Sequence, residues 1–409
     1  MKNYLFFISI LFTVTLPSCK QANAPQAVNS QWRGENRDGI YNETGLLKEW
    51  PADGPQLLWS FEGLGAGFTS VAISSEKIYI TGLSEDNLIL FVFNLDGKLL
   101  LKKEISKEES ENYPGPRSTI TINDGKLYVY NALGKLFCFD ESTLKEIWSK
   151  DVIADFDGRN IEWRVTESPL IVGEKIFITP GGEKHNMVAL NKNTGELTWS
   201  SPGEGTASAY CSPQYISDQS IPILVTNTAD YIVGFNAGTG EKLWSFPQTH
   251  EYNIHPNTPL YYNGMIFITT GYRVGSTMLR LKDGGKAIEL AWKNDEMDAQ
   301  MGGAVKIGNY IYASGHGNNM WLCVDWNTGE TKYKLREIGR SNVIYADGML
   351  YCYSERGNMY LVKPNPEKLE IVSSFKITLG TDQHWAHPVI HQGALYIRHG
   401  DALMAYKLK

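Results

Sequence analysis

The sequence predicts an all-β fold: an eight-bladed β-propeller of four-stranded blades, its ring closed by an N-terminal strand that completes the last blade. Three observations predict it. Short strand and turn units recur at intervals of 40 to 49 residues, with starts near Phe68, Arg117, Thr166, Tyr210, His255, Gln300, Arg340 and His384, and that is the period of a propeller blade. Nearly the same phrase is written at "VALNKNTGELTWS" and "IVGFNAGTGEKLWS", and more loosely at "LFCFDESTLKEIWS" and "WLCVDWNTGETKYK". The last unit stops after its third strand, while "PQLLWSFEG", Pro55 to Gly63, reads as a fourth strand standing ahead of the first unit. Pairing these two pieces removes the free sheet edges that an open array would expose.

In chain order, residues 1–18 read as a signal peptide, because Lys2 precedes an apolar run from Tyr4 to Leu16 that is too short to span a bilayer. The run ends in "LPSC", which resembles the lipobox of bacterial lipoproteins with Pro17 in place of the preferred small residue. It makes Cys19 the expected site of lipidation, including palmitate. Residues 19–49 then hold the lipidated cysteine, the polar tether "KQANAPQAVNS" and a lead-in segment, and residues 50–409 form the propeller. No acidic residue directly follows Cys19, a feature similar to outer-membrane lipoproteins that face the periplasm.

Each unit opens with an apolar strand after Ser, Thr or Pro, and turns into a second strand such as "KLYVY", "KIFIT" or "MLYCY". The turns "NDG", "YNG" and "ADG" supply the positive φ that a tight hairpin needs. A third strand leads through an Asn or Asp and a Thr-Gly turn to a fourth strand bearing an aromatic ring. Trp59, Trp148, Trp199, Trp244 and Trp292 hold that place, and Tyr333 takes it in the sixth unit. The expected role is packing: the ring covers the seam between blades while the Asn or Asp bonds the turn backbone.

Composition fits this reading. An aromatic share of 12% with 22 Tyr favours β structure, and a net charge of -7 gives no general attraction to nucleic acid. Cys138, Cys323 and Cys352 sit in apolar runs, and no CxxC exists, so neither a metal nor a disulfide framework is expected. A phosphate-binding glycine loop, a GxSxG elbow and an HExxH motif are likewise missing from the sequence.

Ala189, Asn191, Thr194, Gly195 and Trp199 together resemble the A-x-D-x-x-T-G-x-x-x-W docking motif of the pyrroloquinoline-quinone-like propeller superfamily. Gly234 to Trp244, Cys323 to Tyr333 and Cys138 to Trp148 repeat it, the last with Leu144 in place of glycine. The resemblance covers residues 50–409 and extends to secreted lipoprotein members similar to the propeller lipoprotein of the outer-membrane β-barrel assembly machine. It implies either a scaffold or a quinone (PQQ) dehydrogenase, and in many dehydrogenases an adjacent Cys pair, a calcium held by carboxylate and amide, and a catalytic Asp. This chain has no adjacent cysteines, so no cofactor is expected.

In a propeller the links between blades and the turns from second to third strand share one face. His185, His250, His255, His316, His384, His387 and His399 map to it, and His391 to the other. Its links supply Arg117, Arg164, Arg340, His255 and His384 beside Trp163, Tyr210 and Trp385. Arginine forks suit carboxylate or sulfate, and aromatic faces suit sugar rings or flat apolar surfaces. The competing role for the arginines is internal pairing with Glu162, Glu167 and Asp382. Two classes of function follow. One is a lipid-anchored scaffold for a partner or ligand, such as an acidic glycan or an acidic protein segment; the other is an enzyme, either quinone-dependent or similar to a polysaccharide lyase, with Tyr210 or His255 as the proton-transfer candidate.

Overall fold

The computed structural model describes Met1 and residues 30–409, so the signal peptide and Cys19 lie outside the described residues. The described chain forms eight four-stranded antiparallel sheets arranged as propeller blades. Blade one runs from Ala72–Ser74 to Leu99–Lys107, blade two from Thr121–Asn123 to Glu146–Asp151, and blade three from Leu170–Val172 to Leu197–Ser201. Blade four runs from Gln214–Ile216 to Lys242–Pro247, blade five from Leu260–Tyr262 to Ala287–Asn294, and blade six from Ala304–Ile307 to Thr331–Leu335. Blade seven, Ser341–Ala346 to Glu370–Lys376, gains Ile40–Tyr41 as a parallel fifth strand on its inner edge. Blade eight joins Val389–His391, Ala394–His399 and Ala402–Lys407 to Leu57–Glu62. Its closing register pairs Leu57 with Tyr406 and Phe61 with Leu403, which closes the ring as expected.

Middle strands are buried on both faces because a neighbouring blade covers each one. "NLILFVFN", Asn87–Asn94, is buried through its length except at its ends, whereas the outer strand Leu99–Lys107 is largely exposed. Hairpins turn where the sequence supplies positive φ: Asp124 and Gly125 at 47° and 68°, and Asp347 and Gly348 at 47° and 80°.

The repeated phrase is a device that acts across a seam. Each tryptophan reaches the turn between the third and fourth strands of the next blade, where its indole N–H donates to a carbonyl. Trp59 bonds Leu95 O at 2.9 Å, Trp148 bonds Lys192 O at 3.0 Å, Trp199 bonds Ala237 O at 3.1 Å, Trp244 bonds Gly285 O at 3.1 Å and Trp292 bonds Trp326 O at 3.0 Å. The turn is held by its Asn or Asp: Asn191 Oδ1 accepts from Asn193 N at 2.8 Å, and Asp325 Oδ1 from Asn327 N and Thr328 N at 2.9 Å. Glycine is required because the ring lies flat on it. A Cβ at Gly240 (φ 80°) would stand 2.5 Å from the Trp199 ring, and one at Gly195 (φ 71°) 2.7 Å from Trp148.

Three seams lack a tryptophan: blade six keeps an aromatic ring there, Tyr333 opposite Cys323, while blades one and seven depart further. In blade one the docking register holds Leu101, opposite Val92, where Trp199 stands opposite Ala189. No ring arrives there, so blade two can carry Leu144 in the glycine place, at φ 54° and buried. In blade seven that register holds Ser373, opposite Leu361. Trp50, ahead of the first repeat, fills the gap: its backbone N–H donates to Ser373 Oγ at 3.0 Å and its ring packs on Phe375 at 5.1 Å.

Residues 30–41, part of the segment set apart in the sequence from the propeller, run through its interior. Ser30 O accepts from Ile122 N at 2.7 Å, near the hairpin end of blade two, and Tyr41 pairs with Ala346, near the hairpin end of blade seven. Between these points the chain rises into the channel and turns back, with Arg33 and Arg37 both at φ 59°. The two guanidinium groups are buried and bond the inner strands. Arg33 donates to Ala304 O at 2.7 Å and Val343 O at 3.4 Å; Arg37 donates to Ser168 O at 3.1 Å and to Pro169 O. Burial pulls both down to about 10 from the ordinary arginine value.

Candidate functional site

The link face opens on a cavity of about 360 Å³ at the centre of the ring. Each link delivers side chains to it because the inner strands converge on the axis. Phe68 precedes blade one, Tyr113 and Arg117 precede blade two, Trp163 precedes blade three, and Tyr210 precedes blade four. Gln300, Arg340 and Trp385 come from the links before blades six, seven and eight, and Tyr272 from a turn of blade five. The lead-in segment contributes Trp32, whose ring meets His387 edge-on at 4.5 Å and whose N–H donates to Thr258 Oγ1 at 3.2 Å.

Aromatic contacts run around the wall. Tyr113 lies 5.6 Å from Trp163 and 5.3 Å from Trp385, and Trp385 lies 5.2 Å from Phe68. Across the mouth, the Tyr272 ring lies tilted between those of His250 at 4.7 Å and His316 at 4.4 Å. Tyr113, Tyr210 and Tyr272 all hold left-handed backbone, with φ of 51°, 70° and 58°. For residues with a Cβ this costs about 1–2 kcal/mol each, and such strain gathers where side chains must be aimed at a site.

The polar groups of the wall are engaged within the protein. Arg117 donates to Asn112 O and Tyr113 O at 2.7 Å and to Gly115 O at 3.2 Å, which folds its own link and presents Tyr113. Burial lowers its guanidinium pKa while Glu108 and Glu109 oppose the shift. Arg340 donates from Nε to His316 O at 3.0 Å and stands 3.7 Å from Glu355. Gln300 bonds the Tyr272 hydroxyl at 2.8 Å. Tyr210 accepts from Trp163 N at 3.2 Å, and burial pushes its hydroxyl up to about 12.

The residues expected from the sequence therefore separate into two groups. Arg117, Trp163, Tyr210, Arg340 and Trp385 meet in the cavity wall. Arg164 lies outside that wall and pairs with Glu109, a partner not foreseen, which is bonded in turn by Asn112 N and Glu111 N. His255 is buried beneath the wall, its Nδ1 at 3.0 Å from Thr270 Oγ1 and its Nε2 at 3.0 Å from Ala229 O, and burial pulls it down to about 4. His384 stacks on His399 at 3.7 Å and bonds the Tyr353 hydroxyl at 2.6 Å, again away from the wall. Trp32, Phe68, Tyr113, Tyr272 and Glu355 were not anticipated. The signal for Trp32 was present in "QWRGENRDG", a tryptophan and two arginines in an otherwise polar stretch.

A quinone cofactor, which the dehydrogenase resemblance implies, would call for paired cysteines and carboxylates around a cation. The wall carries no cysteine and one carboxylate, Glu355, and the four described cysteines are buried elsewhere. Among the described residues no group of three or more His, Cys, Asp or Glu is placed to hold a metal. These residues do not match that donor set.

The family model described as "Outer membrane protein assembly factor BamB" matches residues 92–221 and 187–366, most of the ring. The chain belongs to this family. A BamB of Shewanella oneidensis is 21% identical over 267 residues, covering 60% of this chain and 63% of that protein. The BamB of Moranella endobia is 23% identical over 257 residues, and the chain again spans 63% of its length. A quinoprotein ethanol dehydrogenase of Pseudomonas aeruginosa is 34% identical over only 89 residues, 14% of that enzyme. In structure, BamB from Moraxella catarrhalis superposes with a TM-score of 0.63 over 87% of this chain and 98% of its own, at 14% identity, a likeness of fold. Among the described residues no helix is long and apolar enough to cross a membrane.

Proposed function

We propose that this protein is a partner-binding scaffold of the bacterial envelope that engages a protein segment at the aromatic mouth of the ring, without chemistry of its own. Membership of the assembly-factor family supports a scaffold. The observation that carries the choice of site is the wall itself: aromatic rings are presented on strained backbone, while Arg117, Arg340, Gln300 and Tyr210 spend their polar atoms on the protein. Such a surface suits apolar and aromatic side chains of an extended partner segment, since tyrosine and tryptophan add large contact area at low entropic cost. It offers less to the acidic glycan expected from the arginines, because the Arg117 fork is turned to backbone carbonyls, Arg164 is paired with Glu109, and Arg340 is held between His316 O and Glu355. The lipobox-like "LPSC" supports anchoring through Cys19 at the outer membrane.

The test is site-specific photocrosslinking in cells. A photoreactive phenylalanine at Tyr113, on the rim, is expected to trap one or a few envelope proteins, and Trp385→Ala is expected to suppress the adducts. The same probe at Leu58, exposed on the outer strand of blade eight, is the control. Equal adducts at both positions, or adducts indifferent to Trp385→Ala, would overturn the mouth as the partner site.

A further inference from the structure

The floor of the mouth cavity is only partly built by the blades. Beside the buried link residues Ser212 and His387 it includes Trp32, carried on a segment that enters from the hairpin face, where Ser30 O meets Ile122 N, and leaves by that face at Ile40–Tyr41. We propose that the mouth cavity and this inserted segment form one coupled unit, so that an occupant of the cavity and the seated segment stabilise each other. The inference rests on the reading of the mouth as a binding site.

The latch is Arg33. Its guanidinium bonds Ala304 O, Val343 O and Asp38 O and reaches His387 Nδ1 at 3.1 Å, while His387 Nε2 lies 2.8 Å from Met301 O. Arginine offers only N–H donors, so Nδ1 accepts and Nε2 carries the proton that goes to Met301. His387 and Met301 are both wall residues, and Trp32 packs on the His387 ring. One buried side chain thus ties the segment to the cavity wall and fixes the floor. The propeller makes room for it: a Cβ at Gly303 would stand 2.1 Å from Arg33 Nη1, and one at Gly39 2.5 Å from Nη2. Arg37 fastens the other arm, through Ser168 O, Pro169 O, Pro213 O and Gln31 Oε1.

A seated floor completes the contact surface, and a ligand that touches Trp32 favours the seated state. The linkage is reciprocal by thermodynamic necessity. The Arg33 guanidinium is hydrogen-bonded by carbonyls and an imidazole, and the Asp38 carboxylate acts on it only through space. A buried guanidinium held by carbonyls and a neutral imidazole is costly to leave half-paired, so the segment has a seated state and an unseated one with little between them.

The experiment uses the intact protein and 1-anilinonaphthalene-8-sulfonate as the cavity probe. Arg33→Lys keeps the charge and loses the fork; Gly303→Ala pushes a methyl into the guanidinium from the propeller side. Near-UV circular dichroism checks that both remain folded. Hydrogen exchange over residues 30–41 reports seating, and fluorescence titration reports probe affinity. Both variants are expected to exchange faster over 30–41 and to bind the probe more weakly, by a factor in the range of about 5 to 150. Saturating probe is expected to slow exchange of 30–41 in the unsubstituted protein. Faster exchange with unchanged affinity, or exchange indifferent to the probe, would overturn the coupling. Variants whose exchange stays unchanged would overturn Arg33 as the latch. Trp385→Ala separates the two readings: if it leaves probe affinity intact, the probe does not sit in the mouth, and the binding-site reading fails with the coupling.

Discussion

The seam between blades one and two carries leucines where the seams of Trp59, Trp148, Trp199 and Trp292 carry tryptophan and glycine, and converting it tests the docking device directly. Leu101→Trp, Leu144→Gly and the double variant form a cycle. Leu144→Gly removes a buried side chain, a loss of about 2–3 kcal/mol, and relieves a left-handed leucine at φ 54°, a gain of about 1–2 kcal/mol. The net is a loss of about 1 kcal/mol. Leu101→Trp alone brings a ring onto a side chain in the place where even a Cβ would stand 2.5 Å from Trp199 at Gly240. The ring stays in solvent and stability barely changes. In the double variant the ring lies flat on glycine and its N–H reaches Glu141 O, the equivalent of Lys192 O and Ala237 O in the seams of Trp148 and Trp199. Burying half of a ring's roughly 200 Å² gives about 2.5 kcal/mol at about 25 cal/mol per Å². A hydrogen bond adds about 1 kcal/mol. The expected coupling is therefore about 3.5 kcal/mol, and the double variant is more stable than the parent by about 2.5 kcal/mol. Equilibrium urea unfolding followed by far-UV circular dichroism measures it, with calorimetry to check for a single transition. Effects that add to within about 0.5 kcal/mol would refute the reasoning.

Deleting Pro55 to Gly63 removes the outer strand of blade eight and should broaden urea unfolding or cause aggregation; a deletion variant that unfolds like the parent would count against closure as a source of stability. Gly240→Ala should destabilise more than Gly125→Ala, since both hold positive φ but a Cβ meets the Trp199 ring only at Gly240 and nothing within 4 Å at Gly125; equal losses in unfolding free energy would show that the ring contact is immaterial. Burial raises Glu167 from 4.5 to about 8, opposed by the Thr179 N–H and by Arg37. The folded state then holds a proton that the unfolded state releases, so its contribution is full below pH 4.5 and is lost as pH rises to about 8. Glu167→Gln should flatten the fall in melting temperature across that window, and an unchanged profile would remove Glu167 as its cause. Cys19→Ala should move the protein from the membrane fraction to the soluble one; retention would mean that lipidation at Cys19 is not the anchor.

The ring was legible because its devices are local and repeated. Asn191, Thr194, Gly195 and Trp199 lie within nine residues of one another, yet each serves a seam: Gly195 receives Trp148 of the blade before it, and Trp199 reaches Ala237 of the blade after it. The register of the closing strand followed from the same logic, as Trp59 had to fall where the other tryptophans fall. Site residues were legible only in part, because a link's position says that it nears the axis and not where its side chain turns. Arg117 and Trp163 reached the wall. His255 and Arg164 come from equivalent links, but His255 found Thr270 and Ala229 beneath the wall, and Arg164 found Glu109. Trp50 and Trp32 were invisible to periodicity because they lie outside the repeat and act through contacts more than 200 residues away in sequence, with Ser373 and Thr258.

The docking tryptophans sit on outer strands and hold the blades through turns on the hairpin face; the mouth is made of links on the other face, joined to that scaffold only through short inner strands. Substitutions in the links can therefore alter what the mouth accepts while the seams stay intact. The inserted segment breaks this separation, since it touches inner strands from blade two, through Ile122, to blade eight, through Pro388. It lies on the axis, where the inner strands would otherwise face one another across a channel, and it replaces that channel with buried guanidinium groups bonded to backbone carbonyls. A ligand that enters the cavity from the link face meets Trp32 beside His387. One of the residues that limit how far a partner's side chain can reach thus belongs to the segment that leads in from the tether, which ties the specificity of the mouth to the part of the chain that enters on the opposite face.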